Sequence, residues 1–212
     1  MKLYTFFRSS AAFRMRIALN LKGLAYESAF VSLPKMEHRK PEFGAVNPQQ
    51  LVPALDTGKG VFIQSMAIME YLDETHPNPP FLPKTPEARA YVRALSQIIA
   101  CDIHPLNNVR VLKYLETELG HPQPARDKWY AHWIREGFVS LEGLLEREKL
   151  AGKFCYGDAP GMADICLVPQ VFNAQRFNCP TGDYPTAMRI FEACMALKPF
   201  QDAAPMKQGD AA

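Results

Sequence analysis

Several signatures are missing from this chain, and each absence excludes a class. Its five cysteines, Cys101, Cys155, Cys166, Cys179 and Cys194, form no C-x-x-C pair and are odd in number. That suggests neither a disulfide framework nor a metal centre, and it favours a reducing compartment. No apolar run reaches membrane-spanning length. The first residues lead straight into a strand pattern, without the layout of a signal peptide. The net charge is only +2, so nothing electrostatic points to nucleic acid as a main partner. The expectation is a soluble cytoplasmic protein with no nucleic-acid and no membrane partner. What is present is enough apolar residue, 48% against 22% charged over 212 positions, for one large domain or two small ones.

The pattern changes character near residue 82. Before it, Leu3–Phe7 reads as a strand, residues 10–22 as a helix stopped at Gly23, and Tyr26–Leu33 as a second strand. A polar segment, Pro34–Gln50, follows. Val52–Asp56 and Val61–Ile63 flank the tight turn Thr57-Gly58-Lys59-Gly60. Gln64-Ser65 then opens a helix to about Thr75, with Ala67, Ile68, Tyr71 and Leu72 as its apolar stripe. A helix-linked strand pair is parallel and a turn-linked pair antiparallel, so this half predicts a four-stranded mixed sheet. Pro77, Pro79, Pro80, Pro83 and Pro86 mark a linker. Helical patterns then run over 86–119, 125–148, 162–178 and 185–197, and the end from Met206 reads as a loose tail. The predicted organisation is an α/β domain over 1–82, a linker over 83–87 and an all-α domain over 88–212.

The most informative stretch is Phe7-Arg8-Ser9-Ser10-Ala11-Ala12-Phe13-Arg14-Met15-Arg16, between the first strand and the first helix. Helix starts expose unpaired N–H groups and the positive end of the dipole. Ser9 or Ser10, with Arg8 beside them, would hold a thiolate or carboxylate there. The plainer reading is that one of these serines is an N-cap. Val52-Pro53 allows two readings as well. A cis bond would expose the Val52 backbone to a peptide-like ligand, whereas a trans proline would simply sit at a strand edge. Ser65 is a natural N-cap, and its helix start could also take a ligand carboxylate.

On the long helix expected over 86–119, Cys101, His104 and Asn108 fall on one face by spacing. Pro105 should bend that helix. These groups either line a cleft or form a solvated face. Arg110 lies about 200° from Asn108 around a regular helix, so its reach to the same side depends on its length or on the bend. Gly161 sits at the next helix start and Asp164 three residues on, where an acid bonds backbone N–H groups and helps the helix nucleate. Arg176 is a surface charge or a carboxylate clamp.

Taken in order, several runs match one family. They are Phe7-Arg8-Ser9-Ser10, Arg14-Met15-Arg16-Ile17-Ala18-Leu19, Asn47-Pro48-Gln49-Gln50-Leu51-Val52-Pro53, Gln64-Ser65-Met66-Ala67-Ile68, Asp102-Ile103-His104-Pro105-Leu106-Asn107-Asn108, and Ala163-Asp164-Ile165-Cys166-Leu167-Val168-Pro169-Gln170-Val171. From Leu3 to about Ala204 the chain resembles the zeta-class glutathione transferases, the maleylacetoacetate and maleylpyruvate isomerases. The resemblance implies a thioredoxin-like domain with a cis-proline followed by a helical domain, glutathione as cofactor, and a homodimer. It implies that Ser9, with Ser10 and Arg8 beside it, serves the glutathione thiolate. Val52, next to Pro53, would pair with the cysteinyl backbone, and Gln64 and Ser65 with the γ-glutamyl carboxylate. Gln49, Gln50, His104 and Asn108 would lie around the peptide.

Two departures stand out. Ala11 fills a slot that is often Cys in the family motif, so no protein thiol is available there. Gly161 replaces the usual Thr or Ser cap, a change worth only a few tenths of a kcal/mol.

The implied reaction is cis–trans isomerisation of a maleyl diketo acid, maleylpyruvate or maleylacetoacetate, in aromatic-compound catabolism. Arg8, Arg110 and Arg176 are the implied partners of that small dicarboxylate. Two alternatives use the same fold: a general transferase or dehalogenase acting on α-halo acids, and a non-catalytic glutathione-binding module.

Overall fold

In the computed structural model, which describes residues 1–211, the chain divides into two compact units. The first is Met1–Phe81 together with the chain from Met195 onward, and the second is Leu82–Cys194. The predicted 88–212 domain is corrected at its far end. The last helices return to the first unit because their backbone carbonyls meet the donors of its first helix.

The first unit is built on β1 (Lys2–Thr5), β2 (Glu27–Phe30), β3 (Ala54–Asp56) and β4 (Val61–Ile63). They lie in the order β2-β1-β3-β4. β1 runs parallel to β2, with Leu3 opposite Ser28, and antiparallel to β3, with Leu3 opposite Leu55. β3 and β4 are antiparallel, with Leu55 opposite Phe62. This is the mixed sheet expected from the connections.

Helix α1 (Ser10–Leu21) follows β1 and is buried almost all round, from Ala12 to Leu19. It stops where expected. Gly23 takes φ +65°, and Leu24 N–H returns to the Leu19 carbonyl at 3.0 Å, a closure that favours glycine. The Lys22 side chain does more than meet the helix end. It is buried, pairs with Asp73 at 2.9 Å and lies over the Phe81 ring at 4.1 Å.

The segment read as polar loop contains a short helix, α2 (Pro41–Val46), whose only buried side chain is Phe43. Six residues are too few for a hydrophobic period to show. α3 (Ser65–Thr75) buries Ile68, Met69 and Leu72, while Ala67 is exposed, so the apolar stripe is rotated by one position.

The second unit is helical: α4 (Pro86–Gln97), α5 (Val109–Thr117), α6 (Gln123–Glu148), α7 (Met162–Arg176) and most of α8 (Pro185–Met195). α7 is its centre, buried continuously from Met162 to Val171. Each such aliphatic side chain contributes roughly 1.5–3 kcal/mol. Asp164 starts α7 as expected. Its carboxylate accepts from Gly161 N–H at 2.8 Å and from Cys155 N–H at 2.9 Å. Gly137 of α6 lies against Ile103, where a Cβ would collide with the isoleucine side chain.

The helix expected over 86–119 is interrupted. A wider π turn covers Ile98–Ile103, residues 104–108 leave the helix, and α5 restarts at Val109. Pro105 cannot donate a helical hydrogen bond, and Asn108 caps the new helix by accepting from Arg110 N–H at 3.1 Å. The spacing that placed Cys101, His104 and Asn108 on one helical face therefore does not apply.

After Met195, α9 (Lys198–Ala203) packs on α1. The end predicted as a loose tail is instead docked, as far as residue 211. Ala211 packs on the cluster of Phe6, Phe7, Val31, Phe43 and Val52.

Candidate functional site

The first unit gathers Ser9, Gln49, Gln50, Val52, Pro53, Gln64 and Ser65 around the ends of β1 and β3. Ser9 is in extended conformation just before α1 and caps it: its Oγ accepts from Ala12 N–H at 3.2 Å. The cap reading is thus correct. It is also compatible with anion binding, because a hydroxyl that accepts with its oxygen still has its own proton to donate. Ser10 is the first helical residue and is buried. Arg8 is exposed, with its guanidinium 4.7 Å from the Phe7 ring centre.

The Val52–Pro53 peptide is cis. Continuing the β1–β3 register past Tyr4 and Ala54 brings Val52 level with Phe6, and both belong to one buried cluster. The loop before Val52 is shaped by Asn47, which is buried. Its Nδ2 donates to the Leu51 carbonyl at 2.7 Å and its Oδ1 accepts from Gln49 N–H at 2.9 Å. Gln50 takes φ 55° and accepts from Arg39 Nη1 at 2.9 Å.

Gln64, not Ser65, occupies the cap position of α3, and it makes no side-chain cap bond. Its φ of 69° lies in a region side-chain-bearing residues seldom adopt. Such strain clusters where a ligand is held. Its Nε2 donates to Gln49 Oε1 at 2.8 Å, so the two loops carrying the predicted peptide contacts touch. Ser65 is helical and buried, and its Oγ accepts from Arg14 Nη1 at 3.2 Å. The expected Ser65 cap is corrected: the hydroxyl serves a buried guanidinium instead.

The other predicted residues belong to the second unit. His104 follows the π turn and Asn108 caps α5, with Arg110 exposed in its first turn. Asn108 and Arg110 both belong to the start of α5. Arg176 ends α7, exposed, with its guanidinium 4.9 Å from the Phe177 ring, which stacks on Tyr130 at 3.9 Å. Burial pushes the Tyr130 hydroxyl pKa up, and the Arg176 charge opposes this.

A family model for the glutathione S-transferase N-terminal domain matches residues 1–74. A maleylpyruvate isomerase from Ralstonia sp. is 49% identical over all 212 residues, covering the whole of both chains. The chain belongs to the zeta-class glutathione transferases. A holo structure of maleylpyruvate isomerase, described as a bacterial zeta-class glutathione S-transferase, shares 49% of its residues with this transferase. It superposes with a TM-score of 0.98 and full coverage of both chains. A maleylacetoacetate isomerase from Methylobacterium extorquens AM1, solved with malonate and glutathione, is 43% identical with a TM-score of 0.97, again over both whole chains.

Three residues that shape this site stand inside the family motifs without a role legible from sequence: Asn47, Arg14 and Arg16. Arg14 and Arg16 are among the largest fully buried side chains. The signal was in α1 itself, whose stretch Ala12–Leu19 has no polar face apart from these two. A helix apolar all round is buried all round, so its arginines must be internal and hydrogen-bonded.

Proposed function

We infer that this transferase is a glutathione-dependent cis–trans isomerase of a maleyl diketo acid, with Ser9 as the residue that holds the cofactor's sulfur. The supporting observation is the Ser9 hydroxyl. Its oxygen is used by Ala12 N–H at 3.2 Å, which leaves its proton for a thiolate at the start of α1. The donor set suits a tripeptide: a hydroxyl at one helix start, the backbone of Val52 beside a cis-proline, and the linked side chains of Gln49 and Gln64 at a second helix start.

Glutathione held by these residues would supply a thiolate nucleophile able to add reversibly to the maleyl double bond, and would be returned unchanged. The residues' part is to make and keep the thiolate. A free thiol has a pKa of roughly 8.5, so lowering it by ~2 units takes ~2.7 kcal/mol. A hydrogen bond to a charged group gives ~1.5–3 kcal/mol and a helix start ~0.3–1 kcal/mol. Ser9 and α1 together can supply the difference without a protein thiol, so Ala11 is no obstacle. Arg8, Arg110 and Arg176 orient the two carboxylates and take up enolate charge. Binding of malonate, a dicarboxylate, alongside glutathione in the M. extorquens relative agrees with this. His104 and Asn108 complete the peptide contacts.

The same reading carries a homodimer and a cytoplasmic setting, the latter supported by five free cysteines. No helix among the described residues is long and apolar enough to cross a membrane.

The test is turnover of maleylpyruvate, maleylacetoacetate and a chloro-acid, each with and without glutathione. Glutathione-dependent isomerisation of a maleyl acid is expected. Turnover of the chloro-acid alone would replace this reading with a dehalogenating transferase.

A further inference from the structure

The segment that carries Ser9 is held from below by two charged residues far apart in sequence. Arg16, buried in α1, donates Nη1 to Thr5 Oγ1 at 3.0 Å and to the Phe6 carbonyl at 3.4 Å. Its Nη2 donates to the Phe7 carbonyl at 3.0 Å, and its Nε to the Ala203 carbonyl of α9 at 2.9 Å. The Phe6 carbonyl also accepts from Ser9 N–H at 3.0 Å. On the other side of the same peptide unit, Phe7 N–H donates to Asp210 Oδ2 at 3.0 Å. The Phe6–Phe7 peptide, one turn before Ser9, is therefore clamped at its oxygen by Arg16 and at its nitrogen by Asp210.

Asp210 is itself fixed. Ala211 beside it packs on the Phe6, Phe7 and Val52 cluster, and α9 is tied to α1 by Asn20 Nδ2 donating to the Pro199 carbonyl at 3.0 Å. Burial lowers the Arg16 pKa to about 10, and the Tyr26 and Asp210 charges oppose the shift. Asp210 thus accepts from the Phe7 N–H while its charge favours the buried cation.

We propose that Asp210 is a positioning residue of the isomerase: by accepting from Phe7 N–H, the end of the chain sets where Ser9 presents its hydroxyl to the glutathione sulfur. The proposal rests on Ser9 serving that sulfur. Sub-ångström placement of a donor controls how well it stabilises a charge, and Phe7 is only two residues from Ser9.

The experiment compares Asp210→Ala and Asp210→Asn with the parent enzyme. The Asn amide oxygen still accepts from Phe7 N–H, whereas Ala cannot. In the ligand-free enzyme, hydrogen exchange at the Phe7 amide should rise in Asp210→Ala and stay near parent in Asp210→Asn. With glutathione bound, ultraviolet thiolate absorbance at neutral pH should fall in the Ala variant, and kcat for the maleyl acid should fall about tenfold. Glutathione affinity should stay within about twofold, and Asp210→Asn should recover most of kcat, as uniform binding and transition-state effects separate in this way.

Parent-like exchange and kcat in Asp210→Ala would overturn the proposal. So would an Asn variant no better than Ala, or a loss of glutathione affinity that matches the loss of kcat. If the parent enzyme turns over no maleyl acid, the proposed function fails. The exchange and thiolate measurements still decide the Asp210 proposal on their own.

Discussion

Arg14 Nη1 donates to Ser65 Oγ at 3.2 Å, with both side chains buried, and so joins α1 to the first residue of α3. This bond ties together the two helices whose starts carry the proposed glutathione contacts. A hydrogen bond to a buried charged group is worth roughly 1.5–3 kcal/mol. Ser65→Ala should therefore lower unfolding free energy by about that amount and raise the KM for glutathione more than it lowers kcat. Denaturant unfolding and glutathione-dependent kinetics check both parts. Unchanged unfolding would mean that Arg14 is satisfied without Ser65.

Ser9 caps α1 with the same hydroxyl that is proposed to stabilise the thiolate, and the two roles can be separated. Gly at a cap position costs only a few tenths of a kcal/mol relative to Ser but has no side chain to donate, while Ala loses the cap as well. Ser9→Gly should keep a near-parent Tm, whereas Ser9→Ala should lose ~0.5–2 kcal/mol of stability. Both should raise the pKa of bound glutathione by about 1–2 units, corresponding to a lost bond of ~1.5–3 kcal/mol. Thermal melts and a thiolate absorbance titration give the two readouts. An unshifted titration in both variants would remove Ser9 from the sulfur.

Local pattern made most of the first unit readable. β1, α1 with its Gly23 stop, the Thr57–Gly60 turn and the start of α3 all carry their own signals. α2 does not, because one buried Phe43 in six residues shows no period. The break before α5 was visible only as a bend at Pro105, since nothing local announces that Asn108 caps a new helix. The partners of buried polar groups were the least legible. Arg14 bonds an acceptor 51 residues away. Asp210 meets Phe7 across 203 residues and sits in a stretch with the composition of a frayed end.

Arg8 and Arg176 are exposed and lie over neighbouring phenylalanine rings at 4.7 and 4.9 Å. A planar guanidinium can hold a carboxylate through two parallel N–H bonds. Arg8→Ala and Arg176→Ala should each raise the KM for the maleyl acid by about tenfold or more, the loss of a charge-assisted bond of ~1.5–3 kcal/mol. Glutathione affinity by calorimetry should be nearly unchanged. Kinetics identical to parent in both variants would remove the arginine clamp.

Asp164 offers a stability test with a definite pH sign. Its two carboxylate oxygens accept from Cys155 N–H and Gly161 N–H at 2.9 and 2.8 Å, so Asp164→Asn must set an NH2 group against one of those donors. That costs about 1–3 kcal/mol at neutral pH. Burial raises the Asp164 pKa above its ordinary value of 3.8, against the opposing effect of its backbone hydrogen bonds. The folded state therefore binds the proton before the unfolded state does. Stability from this group is greatest below the ordinary value and declines as pH rises through the folded pKa. The neighbouring thiols Cys155 and Cys194 are pushed upward and stay neutral across this range. The Tm advantage of the parent over Asp164→Asn should thus widen as pH is lowered from neutral into the acid range. A Tm gap that narrows on acidification would show that the folded-state pKa lies below 3.8 and that hydrogen bonding outweighs burial at the start of α7.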